Sequence, residues 1–163
     1  MGALARFNNN HKQLSPRAKK AAKELGLKAI CHNPYMNNVA QVVEAIYATE
    51  HAIDIIDRLL ARGLKQEDTT VKVRAGRGIG AVEAPRGILF HDYTFDKHGI
   101  LQQANCIIPT NQNHNSIQKD FESLAPQILD RPENEIRLLL EMLVRSYDPC
   151  ISCPTHMINI EFR

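Results

Sequence analysis

The stretch GILFHDYTFDKHGILQQANCII, residues 87–108, decides the fold class because its residue pattern differs from that of the chain on either side. It contains two runs rich in β-branched and aromatic residues, and Gly99 lies between them. Two such runs joined by a turn predict a β-hairpin. The run TVKVRAG, residues 70–76, has a similar composition and predicts a strand that precedes the hairpin. We therefore expect a small antiparallel β-meander between about residues 70 and 109.

The chain on both sides of this stretch has apolar residues at helical spacing. The long helix before it has one apolar stripe, formed by Val39, Val42, Val43, Ile46, Ile53, Ile56 and Leu60. This stripe is longer than one short hairpin can cover, so we expect other chains to cover part of it. The predicted helices cover residues 17–25, 34–62, 114–129 and 133–147. The predicted fold class is therefore α+β and helix-dominated, with long helices and a small antiparallel β-meander.

We expect residues 1–163 to form a single region with four successive parts. They are a helical part (1–63), the β-meander with its EAPRG loop (64–110), two helices followed by a cysteine-containing turn (111–156), and a short tail (157–163).

Composition excludes some classes of function. The chain has 163 residues, a net charge of +2 and no apolar run long enough to span a membrane, so neither nucleic acid nor a membrane is an expected partner. No secretory signal peptide is apparent. Four cysteines without such a signal favour reduced thiols in the cytoplasm, where metal or redox chemistry is more common than a disulfide framework.

The glycine-rich stretch GRGIGAVEAPRG, residues 76–87, has two interpretations. It is not a P-loop, because no Gly-Lys-Ser/Thr follows, and it does not fit G-x-G-x-x-G, because Ala81 stands at the last glycine position. One interpretation is a flexible turn between strands. The other is that the glycines let the backbone bring Arg86, which stays charged at any working pH, close to a buried anionic group.

The stretch DPCISCPTH, residues 148–156, contains two cysteines at C-x-x-C spacing. Thiolates at this spacing suit zinc, iron or nickel, whereas thioredoxin-like redox chemistry expects the motif at the start of a helix. Here the motif follows a predicted helix, which disfavours the redox interpretation. The remaining cysteines, Cys31 and Cys106, stand alone, and we expect them to be small buried apolar residues.

Taken together, EAPRG and the later DPCxxCxxH resemble the C-terminal part of the large, catalytic subunit of nickel–iron hydrogenases. The phrases GALARFN, HNPYMNNVAQ and YDPCISC are similar to the cytoplasmic, cofactor-coupled hydrogenases of the methanogen and sulfhydrogenase type. The resemblance extends from about Gly2 to His156. It implies a centre of composition Ni–Fe(CO)(CN)2, held by four cysteine thiolates.

The resemblance also implies roles for the cysteines and the histidine of the second motif. Cys150 corresponds to a terminal nickel ligand with a part in catalysis, and Cys153 to the thiolate that bridges nickel and iron. His156 corresponds to the histidine that helps to hold a magnesium or iron ion.

Four further residues correspond to the surroundings of the metals. Arg86 matches the arginine above them, a hydrogen-bond donor and candidate catalytic base, and Asp148 matches the carboxylate that pairs with it. Pro85 matches the residue that packs against a cyanide, and Thr110 matches a hydroxyl donor to the other cyanide.

One departure from the family changes the expected function. The family's other cysteine pair lies in an R-x-C-G-x-C context, and this sequence contains no such motif. We therefore expect the chain to be the C-terminal half of a split subunit, or else a degenerate fragment. A separate N-terminal half carrying R-x-C-G-x-C would be its partner. An iron–sulfur small subunit, together with flavin or other electron-transfer subunits, would complete the hydrogenase.

The alternatives are a non-catalytic scaffold and a zinc- or iron-binding interaction subunit derived from the same fold. Nickel and iron together would support the hydrogenase, whereas zinc alone would support the interaction subunit. The tail after His156 is either an unprocessed precursor segment or a tail that this variant retains.

Overall fold

The computed structural model describes residues 2–150, in which five α-helices and a three-stranded sheet follow one another. The helices are α1 (Ala3–Asn10), α2 (Pro16–Glu24), α3 (Asn37–Arg62), α4 (Pro109–Leu124) and α5 (Glu133–Ser146). The strands are β1 (Gly76–Ala84), β2 (Gly87–Phe95) and β3 (Leu101–Ile107). Single 3-10 turns lie at His11–Gln13, Pro34–Met36 and Ala125–Gln127. The predicted α+β, helix-dominated fold class is confirmed.

Helices α2 and α3 begin where prolines and capping side chains predict. The Ser15 side chain accepts a hydrogen bond from the Ala18 N–H, and Pro16 is the first residue of α2. The Asn33 side chain accepts one from the Tyr35 N–H and so begins the 3-10 turn that leads into α3. Each side chain satisfies a donor that its helix leaves without a partner.

Helix α1 was not predicted from the sequence. It has only eight residues, which is too few for a helix to be stable alone. Its buried residues Ala3, Leu4 and Phe7 pack into the core between α2 and α3. The helix is therefore stabilised by long-range packing, which a local pattern does not reveal.

The sheet is antiparallel with the strand order β1-β2-β3, as expected for a meander. Ala84 pairs with Gly87, so β1 and β2 are joined by a tight turn at Pro85 and Arg86. The β2–β3 connection is held by Asp96, whose side chain accepts hydrogen bonds from the N–H groups of two later residues, at 2.8 and 2.9 Å.

The predicted first strand was wrong. Residues 70–75 are neither helix nor strand, and β1 is instead the glycine-rich stretch Gly76–Ala84. Nothing lies within 4 Å of a Cβ added to Gly76, Gly78 or Gly80, so these glycines do not serve a close approach. Pairing with the β-rich strand β2 overrides their low strand propensity. The stretch is therefore a strand and not a flexible turn.

The core is small, and much apolar surface of α3 is exposed. One core cluster joins α1, α2 and the first half of α3 through Ala3, Leu4, Phe7, Ala18, Ala22, Leu27, Ala40 and Val43. In the second half of α3, Ile53, Ile56 and Leu60 are 55%, 54% and 64% exposed. That other chains cover this surface stays a prediction. No helix within residues 2–150 is long and apolar enough to cross a membrane.

Candidate metal centre

Three distant segments meet at one place in the fold. They are the β1–β2 turn with Arg86, the start of α4 with Thr110, and the chain after α5 with Asp148 and Cys150. Arg86 Nε donates to the Asp148 backbone oxygen at 2.5 Å and lies 3.4 Å from Asp148 Oδ2. The Cys150 amide nitrogen lies 3.5 Å from Thr110 Oγ1. The structure thus brings together four of the residues proposed from the sequence.

The backbone of Asp148 directs this segment toward the arginine. Asp148 has φ of +50°, a left-handed conformation that aspartate adopts more readily than most residues. Gln41 on α3 donates a hydrogen bond to Asp148 Oδ2 at 3.1 Å. The Arg86 and Asp148 side chains are 38% and 36% exposed, so their ion pair adds little stability. Its effect is on the orientation of the guanidinium group.

Helix α4 contributes two buried polar residues to the same place. Thr110 is 6% exposed and Asn113 is 3% exposed, and their three-residue spacing puts them on one face of the helix. The Asn113 side-chain amide donates to the Arg86 backbone oxygen at 3.4 Å. Asn113 Oδ1 is buried, and no residue within 2–150 donates to it. A buried polar atom of this kind needs a partner from another group at the site.

The donor set fits the group that the resemblance implies. Cys150 offers sulfur, the ligand type that nickel and iron take in soft sites. The Thr110 hydroxyl and the Arg86 guanidinium offer hydrogen-bond donors for buried anionic ligands. Within residues 2–150, no three histidine, cysteine, aspartate or glutamate side chains converge on a common point. This part of the chain therefore does not make a complete metal site by itself.

Arg6 on α1 holds the turn that carries Arg86, and it was not among the residues predicted from the sequence. Its Nη1 and Nη2 donate to the backbone oxygens of Ala84 and Pro85, each at 2.9 Å. Glu44 on α3 binds the same guanidinium with both carboxylate oxygens, at 2.5 and 2.6 Å. This hydrogen bonding to Glu44 raises the pKa of Arg6, so Arg6 stays charged. Only its place in the phrase GALARFN pointed to it.

Asn37 is a second polar residue that was not predicted. It is buried at the start of α3, and its Oδ1 accepts from the Leu4 N–H at 3.1 Å. Its Nδ2 donates to the Ser146 backbone oxygen at 2.9 Å. Asn37 thus connects α1, α3 and the end of α5, two residues before Asp148.

The other proposed residues have different positions. Pro85 lies in the β1–β2 turn, where its carbonyl accepts from Arg6. Cys153 and His156 lie outside the described residues, as does the tail 157–163.

The two lone cysteines differ from each other. Cys31 is partly buried against the core, and the Asn8 side chain holds its backbone N–H and C=O at 3.0 and 2.7 Å. Cys106 is exposed on β3, so its predicted burial was wrong. Its sulfur lies 3.3 Å from the Tyr93 hydroxyl, and this hydrogen bond raises the pKa of Tyr93. The alternation of a half-exposed sheet, rather than cysteine's preference for the core, determines where Cys106 points.

Residues 2–156 match the family described as nickel-dependent hydrogenase. The chain belongs to this family. It is 36% identical to the alpha chain of sulfhydrogenase 1 from Pyrococcus furiosus over 163 residues, which are 98% of this chain and 37% of that protein. It is also 36% identical to a subunit of the F420-non-reducing hydrogenase from Methanothermobacter marburgensis over 127 residues, 76% of this chain and 26% of that one. The resemblance inferred from the motifs is confirmed.

A solved structure shares the fold. It is the crystal structure of an NAD+-reducing [NiFe]-hydrogenase in the H2-reduced state, with a TM-score of 0.73 and 23% identity. The similarity covers 95% of this chain and 35% of that chain. The chain thus spans about a third of the length of the hydrogenase subunits that it matches.

Proposed function

We propose that this chain provides two of the four cysteine ligands, Cys150 and Cys153, of a Ni–Fe(CO)(CN)2 centre that interconverts hydrogen with protons and electrons. The observation that supports this most is the convergence of Arg86, Asp148, Thr110 and Cys150. These residues come from three separate segments, and the pairs that meet are 62 and 40 residues apart in the sequence. A fold maintained for scaffolding alone does not require a guanidinium, a buried hydroxyl and a thiol at one point.

The chain's own residues have distinct tasks in this proposal. Cys150 binds metal as a thiolate, and Thr110 donates a hydrogen bond to an anionic ligand in the buried part of the site. Arg86, oriented by Asp148, presents fixed donors where charge changes during the reaction, and it is the candidate base. When bound, the Ni–Fe centre would supply the metal ions that take up hydrogen. A magnesium or iron ion near His156 belongs to the same proposal.

The proposal requires partners, since the chain spans about a third of its relatives and lacks R-x-C-G-x-C. A separate chain carrying that motif would supply the other two thiolates. An iron–sulfur small subunit, with flavin or other electron-transfer subunits, would carry the electrons. We place this assembly in the cytoplasm, and we treat residues 1–163 as one region equivalent to the C-terminal part of the family's large subunit.

Metal analysis of the complex tests the proposal. The full chain is purified with the polypeptides that accompany it, and nickel, iron and zinc are measured on the same sample as hydrogen-dependent dye reduction. We expect nickel with at least as much iron, and hydrogen turnover. Zinc without nickel would contradict the proposal and would indicate a metal-binding interaction subunit instead.

A further inference from the structure

From the contacts of the β1–β2 turn we infer that Arg6, held by Glu44, is a positioning residue that aims Arg86 at the site. This inference rests on the proposed function, because it assigns Arg6 a task in the same site. It concerns a side chain on α1, which is separated from the turn by 78 residues of sequence.

The Arg6 guanidinium has a geometry that restrains the turn. Two of its nitrogens reach the backbone oxygens of Ala84 and Pro85, the two residues directly before Arg86. A guanidinium is planar and its donors have fixed directions, so two such bonds restrain both the position and the tilt of the turn. A lysine at the same position would keep the charge but would lose this paired geometry.

The guanidinium of Arg6 is itself immobilised. Its side chain is only 15% exposed, and both carboxylate oxygens of Glu44 bind it. Glu44 lies on α3, in the part of the helix that packs against α1. The turn is therefore attached to the helical core and not only to its own sheet.

Arg86 depends on its backbone for its direction. Its side chain is 38% exposed, and its hydrogen bonds among the described residues are to the Asp148 segment. Pro85 and its own carbonyl, which Asn113 binds, set where its Cα lies. A shift of about 1 Å at a catalytic group is enough to cost about 100-fold in rate. Releasing the turn is thus expected to impair Arg86 without removing it.

Three variants and one control separate positioning from general damage. Arg6→Lys keeps the charge, Arg6→Gln removes it, and the double variant Arg6→Gln/Glu44→Gln leaves no unpaired buried carboxylate. The matched control is Arg77→Lys, which breaks a similar two-bond pair with Asp92, at 2.8 and 2.6 Å. Arg77 lies seven residues before Ala84 on the same strand, roughly 23 Å from the turn.

Hydrogen–deuterium exchange measures the restraint of the turn without reference to activity. The probe is deuterium uptake by the peptide that contains residues 83–88, in the purified complex. We expect about tenfold faster exchange in all three Arg6 variants and no change in Arg77→Lys, because only the former lose bonds to the turn carbonyls. Unchanged exchange in Arg6→Gln and in the double variant would overturn the inference.

A double-mutant cycle then tests whether Arg6 acts through Arg86. At equal nickel content, we expect turnover to fall about 10-fold in Arg6→Gln and about 100-fold in Arg86→Lys. If Arg6 only positions Arg86, the combined variant falls about 100-fold rather than about 1,000-fold. Additive losses, or wild-type turnover in Arg6→Gln, would overturn the inference and leave the proposed function intact. A wild-type complex without nickel would overturn both.

Discussion

Removal of the Asn37 side chain is expected to destabilise the chain because this residue joins three helices with two buried hydrogen bonds. The Leu4 N–H lies in the first turn of α1, and the Ser146 carbonyl lies in the last turn of α5. Neither group has an acceptor or donor within its own helix at such a position. In Asn37→Ala both groups become unpaired, at about 1–3 kcal/mol each. Partial entry of water reduces the sum, so we expect a loss of about 2–4 kcal/mol in the free energy of unfolding.

Urea denaturation of the purified chain measures this loss, with two comparisons. Asn37→Asp keeps an acceptor for Leu4 but loses the donor to Ser146, so it should lose about half as much. Asn9→Ala, at an exposed position of the same helix α1, should change the stability by less than about 0.5 kcal/mol. Exchange of the Leu4 amide should accelerate in Asn37→Ala but not in Asn9→Ala. A loss of less than about 0.5 kcal/mol in Asn37→Ala would refute the reasoning.

Two further predictions concern Arg86 and Tyr147. Arg86→Lys should leave nickel in place and lower hydrogen turnover by about two orders of magnitude, the scale of losing one preorganised electrostatic group; equal turnover at equal nickel would show that Arg86 is only structural. The Tyr147 hydroxyl donates to the Asp120 carboxylate, and burial, followed by this hydrogen bond, raises the pKa of Tyr147. The folded state therefore holds the phenol proton more tightly, and this stabilisation is complete below the ordinary tyrosine pKa of about 10 and decreases above it. Urea denaturation should find Tyr147→Phe about 1 kcal/mol less stable at about pH 8, with a smaller difference at about pH 11, and a pH-independent difference would contradict this account.

Elements with strong local periodicity were predicted from the sequence. Helix α3 and the β2–β3 hairpin follow from apolar spacing and from the turn residues around Gly99. Helix α1 and strand β1 could not be found in this way. Their residues gain stability only from distant partners, namely α3 for the first and β2 for the second.

The site shows the same division. The motifs pointed to Arg86 and Asp148, and the structure places these residues beside each other. Arg6 and Asn37 could not be predicted because their partners lie 78 and 109 residues away, and a lone arginine or asparagine has no local pattern. Side chains that hold a site in place are therefore the part of it that requires coordinates.

The most direct test of the central claim is the nickel content of complexes in which single cysteines of this chain are replaced by serine. A serine hydroxyl is a far poorer ligand than a thiolate for these metals at neutral pH. The account predicts that Cys150→Ser and Cys153→Ser purify without nickel, whereas Cys31→Ser, at a partly buried position whose backbone Asn8 holds, keeps the wild-type amount. Full nickel occupancy in the Cys153→Ser complex would contradict the claim that this chain provides the ligands of a nickel–iron centre.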